Sequence, residues 1–285
     1  MVEYKIKDLF TSVPLADVQL DGKIAKLMDT FFYERVMSDY AHHTIYQETE
    51  DAFRSQLDDK GVVGIWQGEF WGKWIISAAR VCRYNHSNEL KAFIRQAAHN
   101  LMAMQREDGY LGTYKDSLNM FSPDPQKAIE EVGYPSKWNW NIWCRKYTFW
   151  GLLESYELTE DNAILTCAVR LADHLLKELA ENQINILKTG TFCGVASCSI
   201  MKPMLILYRH TGDKKYLDLC TGIADQWEQP DVPGLIYNSL AMKKIDDCYE
   251  DTLSWSKTYE SLSCFDGLVE LYRVTGKQTY LQTAE

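Results

Sequence analysis

Apolar residues recur at intervals of three and four along most of this chain, with polar and charged residues between them. That period puts one apolar stripe on each of a series of helices, and no series of alternating strands competes with it. A first helix is predicted over 20–36. Segments 70–84 and 89–105 form a pair, divided by Asn85-His86-Ser87-Asn88, a turn-forming and capping run. Segments 141–158 and 161–179 form the next pair, 200–210 and 213–227 a third, and 255–274 opens a fourth. Short β-ribbons are expected at most in the loops, around 184–188 or 235–241.

The junctions between paired helices repeat. Tyr156-Glu157-Leu158-Thr159-Glu160-Asp161 is echoed by Tyr208-Arg209-His210-Thr211-Gly212-Asp213 and by Tyr272-Arg273-Val274-Thr275-Gly276-Lys277. Glycine tolerates the left-handed conformation that ends a helix, and aspartate caps the next one. An array of helical hairpins follows, each burying its stripe against its neighbour. The expected architecture is all-α: a toroid whose inner helices line a pocket, forming one domain over 1–285. The long connections 109–139 and 228–253 would cap one end of it, and long loops in compact domains are usually functional.

Composition narrows the function classes. With 46% hydrophobic and 25% charged residues the chain reads as a globular protein with a large core. The net charge of −10 and the lack of any Lys/Arg run argue against nucleic acid or an anionic membrane as partner. No apolar run approaches the ~18 residues of a membrane span, and no signal peptide is visible, so a cytoplasmic location is expected. Eight cysteines lie scattered through apolar stretches with no CxxC pair, which fits free thiols in a reducing compartment. Cys193 with Cys198 is the weak alternative for a metal site, since no histidine stands at ligand spacing. There is no P-loop, dinucleotide fingerprint or nucleophile elbow.

Aromatics and carboxylates are the candidates for chemistry. Trp66, Trp71 and Trp74 form one cluster, Trp138, Trp140, Trp143 and Trp150 another, and the long loops carry Tyr110, Tyr114, Tyr237 and Tyr249. Core packing accounts for many of these. Rings beside Gln, Asn, Glu and Lys at helix starts also suit carbohydrate, whose C–H face stacks on a ring while amides and carboxylates bind its hydroxyls. Glu69, Asp108, Glu154 and Glu260 lie in aromatic surroundings. Glycoside hydrolysis commonly uses two carboxyls, one of them kept protonated. The bland alternative is a salt bridge or cap for each, such as Glu260 with Lys257 one helical turn earlier.

Gln105-Arg106-Glu107-Asp108-Gly109-Tyr110-Leu111-Gly112-Thr113-Tyr114 resembles the Gln…Asp-Gly-Tyr-Leu…Thr-Tyr signature of the β-L-arabinofuranosidase family, glycoside hydrolase family 127 and its relatives. Segment 68–77 resembles that family's inner helix, and 207–212 and 257–276 its later helix pairs. The resemblance implies an (α/α)6 barrel followed by β-rich domains. It implies a retaining mechanism in which a zinc-bound cysteine thiolate is the nucleophile and a glutamate the acid/base. Those residues belong to a Glu-x-Cys segment and a later Cys-Cys pair, which no cysteine here matches. The catalytic residues are therefore expected beyond Glu285, and zinc in the full-length enzyme rather than in this chain. Gln47 matches a family glutamine that contacts the sugar, and Asp108 and Tyr110 match the signature. Two family histidines that contact the sugar align with Tyr147 and Ser197, which are departures.

The expected reading is thus an incomplete, glycoside hydrolase-like toroid acting on arabinofuranosyl or related plant glycans. Its sugar-binding residues would be Gln47, Trp66, Glu69, Asp108, Tyr110, Tyr147, Ser197 and Glu260, with Asp108 also bracing the Gly109-Tyr110 turn. The chain supplies fewer helices than six hairpins require. Its last helices should then expose apolar faces, allow self-association, and leave the chain without glycosidase activity of its own. Two competing classes are another (α/α)-toroid enzyme, a lyase or unsaturated-uronyl hydrolase using Arg145-Lys146 for an acidic sugar, and a non-catalytic helical scaffold.

Overall fold

The apolar stripes become helices close to where the pattern puts them. The computed structural model describes residues 1–55, 57, 66–121, 139–191, 194–230, 234–244 and 257–285. Its α-helices are α1 (Gly22–Phe31), α2 (Gln47–Arg54), α3 (Gln67–Asn85), α4 (Asn88–Met102), α5 (Asn141–Thr159) and α6 (Asn162–Glu181), then α7 (Val195–Cys198), α8 (Met201–Thr211), α9 (Lys214–Trp227), α10 (Leu235–Leu240), α11 (Thr258–Thr275) and α12 (Gln278–Ala284). No strand occurs among the described residues, where one isolated parallel bridge joins Phe121 and Gly190.

Three details depart from the sequence reading. Neither suggested β-ribbon forms. Ile186–Lys188 is a 3-10 turn capped by Asn185, whose Oδ1 accepts from the Leu187 N–H at 3.0 Å, and α10 is closed by the Asn238 N–H donating to Gly234 O at 2.8 Å. Apolar runs this short carry too few periods to tell helix from strand. The first helix is in two pieces, α1 and a π-helical turn at Phe32–Val36. Helix α2 escaped the periodicity because its buried face is Thr49, Glu50 and Phe53, a single large apolar residue.

Four hairpins turn in the same way. The residue after the first helix takes a left-handed φ: His86 (57°) after α3, Glu160 (57°) after α5, Gly212 (75°) after α8 and Gly276 (77°) after α11. Each sends its N–H back to a carbonyl four residues earlier, at 2.7–2.9 Å. Glycine adopts this conformation without steric cost; the first two hairpins tolerate it in a side-chain-bearing residue. The next helix is then capped by Ser87, Asp161 or Asp213 in the first three hairpins, each accepting a backbone N–H at 3.0–3.2 Å.

The chain packs as two compact units, one of Met1–Asp8, Leu118–Lys146 and Leu176–Glu285, the other of Leu9–Ser117 and Tyr147–Leu175. In the second unit α3 lies directly on α5: a Cβ built on Gly72 would sit 2.0 Å from Tyr147 O, so only glycine permits the approach. In the first unit an N-terminal arm ties two hairpins together. Tyr4 lies between the guanidinium groups of Arg209 (3.6 Å) and Arg273 (3.7 Å), and its hydroxyl donates to Glu270 Oε2 at 2.6 Å. Those arginines occupy the same place in successive copies of the repeated junction. α11 leaves Leu262 57% and Tyr259 43% exposed, and α1 has no buried residue.

Candidate functional site

Six of the eight sequence-predicted residues lie in the second unit. Gln47 opens α2, is exposed, and faces His43 Nδ1 at 3.3 Å through its Oε1. Trp66, just before α3, is 40% exposed. One turn into α3, Glu69 pairs with Lys73, whose ammonium lies 4.9 Å from the centre of the Tyr147 ring. Tyr147 is buried and stacks on Trp150 at 6.2 Å. Asp108 is an exposed turn residue: its Oδ1 accepts the Tyr110 N–H at 3.0 Å and its Oδ2 lies 3.5 Å from His174 Nε2. The Tyr110 ring is buried and its hydroxyl donates to Tyr114 O at 2.7 Å. Asp108 thus braces the turn, as an aspartate before glycine does. Lys73 joins Glu69 to Tyr147, and the turn joins Asp108 to Tyr110.

Ser197 and Glu260 lie in the first unit, within a cluster of buried polar groups. At the start of α5, Arg145 is 1% exposed; its Nη1 donates to Glu178 Oε2 at 2.6 Å and its Nε to Asn141 Oδ1 at 2.7 Å. Asn141 and Asn139 both donate to Asn119 O, and the Asn139 N–H donates to Thr191 Oγ1 at 2.9 Å. Ser197 is buried with its Oγ against Gly190. The next α5 residue, Lys146, is also 1% exposed, with its ammonium 4.2 Å from the centre of the Trp143 ring. Trp143 meets Tyr259 edge-on at 5.5 Å. Beside Tyr259, in the first turn of α11, Glu260 is 1% exposed and 3.5 Å from Lys257 Nζ, the i,i+3 pair that the sequence suggested.

The charges of Lys146 and Glu260 both act on Cys264. Burial pushes that thiol well up, with the lysine pulling down and the carboxylate pushing further up. Fully buried ions are held only where opposite charge or hydrogen bonds surround them. The first unit thus sets Lys146 over Trp143 near the start of α5 and Trp143 against Tyr259, with Glu260 and Lys257 paired at the start of α11. Sequence reasoning picked Glu260 and noted Lys146, but not that Lys146 and Arg145 separate into different environments. The available signal was their adjacency, since neighbours on a helix point about 100° apart.

Six cysteines are described, all buried and none in a disulfide: Cys82, Cys144, Cys167, Cys198, Cys220 and Cys264. Cys264 Sγ donates to Val195 O and Cys220 Sγ to Met201 O, and burial pushes both thiols up. These are thiols in apolar helix faces, poor sources of thiolate. No group of three His, Cys, Asp or Glu able to hold a metal ion occurs among the described residues. Cys193, Trp138 and Tyr249 lie outside the described residues. Two open hollows, of about 480 and 520 Å³, contain none of the predicted residues. The first lies beside the α3–α4 turn, the second between α6 and α9.

Two solved structures share the fold: a GH127 β-arabinofuranosidase, 17% identical with a TM-score of 0.62, and Ara127N-Se, a GH127 β-L-arabinofuranosidase from Geobacillus stearothermophilus T6, 16% identical with a TM-score of 0.65. The likeness covers 95% and 94% of this chain but 42% and 44% of theirs, so the chain spans less than half the length of either. The all-α hairpin array is accordingly of the (α/α)-barrel type. No curated protein matches the chain. The family model described as β-L-arabinofuranosidase, GH127 catalytic domain, matches residues 25–231. With most of its length inside that match, the chain belongs to the GH127 β-L-arabinofuranosidase catalytic-domain family.

Proposed function

We propose that this chain is the sugar-binding part of a glycoside hydrolase acting on arabinofuranosyl or related plant glycans, with its catalytic residues supplied by sequence outside 1–285. The match of residues 25–231 to the GH127 catalytic domain carries this reading. The aromatic and charged groups at the starts of α5 and α11 support it, because rings and carboxylates are what a sugar's C–H faces and hydroxyls require. Zinc is expected in the complete enzyme. The described thiols, buried in apolar helix faces, do not fit a zinc site. Free buried thiols fit a cytoplasmic location. The exposed apolar residues of α1 and α11 fit self-association.

A lyase or uronyl hydrolase reading would need a cation for the sugar carboxylate. Arg145, already bonded to Glu178 and Asn141, does not supply it. Titrating purified 1–285 with methyl β-L-arabinofuranoside and methyl glucuronide, followed by tryptophan fluorescence, separates the readings. Saturable binding of the arabinoside is expected, with no release of arabinose from an aryl β-L-arabinofuranoside. Binding of neither sugar would overturn the proposal, preference for the glucuronide would replace it by the uronic reading, and release of arabinose would place catalytic residues inside 1–285.

A further inference from the structure

The N-terminal arm of the first unit meets the repeated junction twice, in the same way each time. Val2 donates its N–H to Arg209 O at 2.6 Å, and Ile6, four residues on, donates its N–H to Arg273 O at 3.0 Å. Arg209 and Arg273 hold the same position in the Tyr-Arg-x-Thr-Gly junctions that end α8 and α11. Their carbonyls belong to the last turn of each helix, where intrahelical partners run out. Each guanidinium also stands over the Tyr4 ring, and the Arg273 fork bonds Glu270 at 3.1 Å and Asp8 at 2.8 Å. The glycine stop leaves room for the arm: a Cβ on Gly276 would come 3.2 Å from Lys5 Cδ, and Lys5 Nζ donates to Thr275 O at 3.0 Å. Val2, Tyr4 and Ile6 are partly covered while Met1, Glu3, Lys5 and Lys7 are exposed, the alternation of an extended segment. No residue from 1 to 35 is buried, so surface contacts hold the arm, and the core around Leu205, Leu207, Cys264, Leu268 and Leu271 is built from other residues. The first junction shows what the arm requires. Glu157 stands there in the place of Arg209 and Arg273 and lies 3.6 Å from Arg83; a carboxylate offers an aromatic ring no cation.

We propose that the α8 and α11 junctions form a recognition surface for an extended apolar-x-Tyr-x-apolar segment, and that residues 1–8 are its occupant, a latch that detaches as a unit while the hairpins stay folded. The two helix-end carbonyls set the register through Val2 and Ile6, and the two arginines select an aromatic ring midway between them. Glu270 accepts from the Tyr4 hydroxyl and so distinguishes tyrosine from phenylalanine. Seated, the latch couples two successive repeats across their ends; released, it leaves them joined through their core alone.

Tyr4→Ala in the full chain disables the arm without removing it. A synthetic peptide of residues 1–8 with a C-terminal fluorophore is titrated with this variant, and fluorescence anisotropy reports binding. A cooperative melt and saturable binding are expected, with affinity at least tenfold weaker for the unsubstituted chain, whose own arm competes. The Tyr4→Ala peptide should bind at least tenfold more weakly than the parent peptide, and the Tyr4→Phe peptide should fall between them. Adding Arg209→Glu to the Tyr4→Ala chain copies the first junction and should weaken the parent peptide at least tenfold. A folded Tyr4→Ala chain that does not bind the peptide, or that binds the parent and Tyr4→Ala peptides equally, would overturn the recognition surface, as would unchanged affinity with Arg209→Glu. Loss of the cooperative melt in the Tyr4→Ala chain would overturn the latch, because the arm would then be part of the folded core.

Discussion

The start of α5 in the first unit and the Asp108–Tyr110 turn with α3 in the second handle polar groups by different routes. Around Arg145 the partners come from afar: Glu178 is 33 positions away, and Thr191 lies 52 from Asn139. Around Asp108 and Glu69 the main partners are near neighbours, the Tyr110 N–H two positions on and Lys73 four positions on. Local pairing keeps groups partly wet and replaceable. Distant pairing buries them, so that each depends on elements brought together by the whole unit. A buried network is therefore costly to break and weakly visible in a sequence, and a surface turn is the reverse.

Breaking the distant network should give the largest effect. Arg145→Met strands Glu178 in the core and is expected to cost about 3–5 kcal/mol in urea unfolding, whereas Arg145→Met with Glu178→Leu recovers most of it. The matching change in the second unit, Lys73→Met, is expected to cost under ~1 kcal/mol, because both partners keep contact with water. Equal losses from Arg145→Met and Lys73→Met would erase the contrast between the two regions.

Asp108→Ala removes the acceptor that braces the signature turn and should cost about 1 kcal/mol, while Asp108→Asn, able to make the same side-chain bond, should cost less. Arabinoside affinity measured on both variants shows whether Asp108 does more than hold the turn. If Asp108→Asn melts as the parent does but loses affinity, the residue touches sugar.

The smallest expected effect is a pH dependence in the second unit. The Asp161 carboxyl is held below its ordinary range, first by its hydrogen bond to His99 and then by the Ala163 N–H. Unfolded, it would bind protons near its ordinary value of about 3.9. Its contribution is thus complete above that value and is lost as pH falls through the lowered folded value. His99→Ala should reduce this acid-side contribution by under ~1 kcal/mol, as expected for a solvent-screened pair, with the difference narrowing as pH falls through the acid limb. An Arg145→Met penalty that followed the same acid curve would show that the two networks are less distinct than their geometry suggests.

Much of the fold was legible. Helix pairs, the capping role of Asp213 and the hairpin stops follow from a 3.6-residue period and short-range turn chemistry, which act within a few residues. Even so, Glu160 and His86 take the left-handed φ without glycine. The α2 helix was missed because its buried positions are mostly polar, and the 235–240 helix because six residues hold too little period. Of the site, the Asp-Gly-Tyr turn and the Lys257–Glu260 pair were readable, since their partners lie two and three positions apart. The different fates of Arg145 and Lys146 were not.

By itself, the sequence determined an all-α array of hairpins, its repeated junctions and, through the Asp-Gly-Tyr-Leu signature, its family. These rest on contacts between residues close in the chain, where periodicity and turn propensity act directly. Tertiary structure alone decided that Arg145 pairs with Glu178 while Lys146 meets Trp143, and that Tyr4 pins two hairpins between Arg209 and Arg273. The physical reason is that buried charge and ring stacking are set by partners from distant segments, and adjacent residues on one helix, about 100° apart, meet different partners.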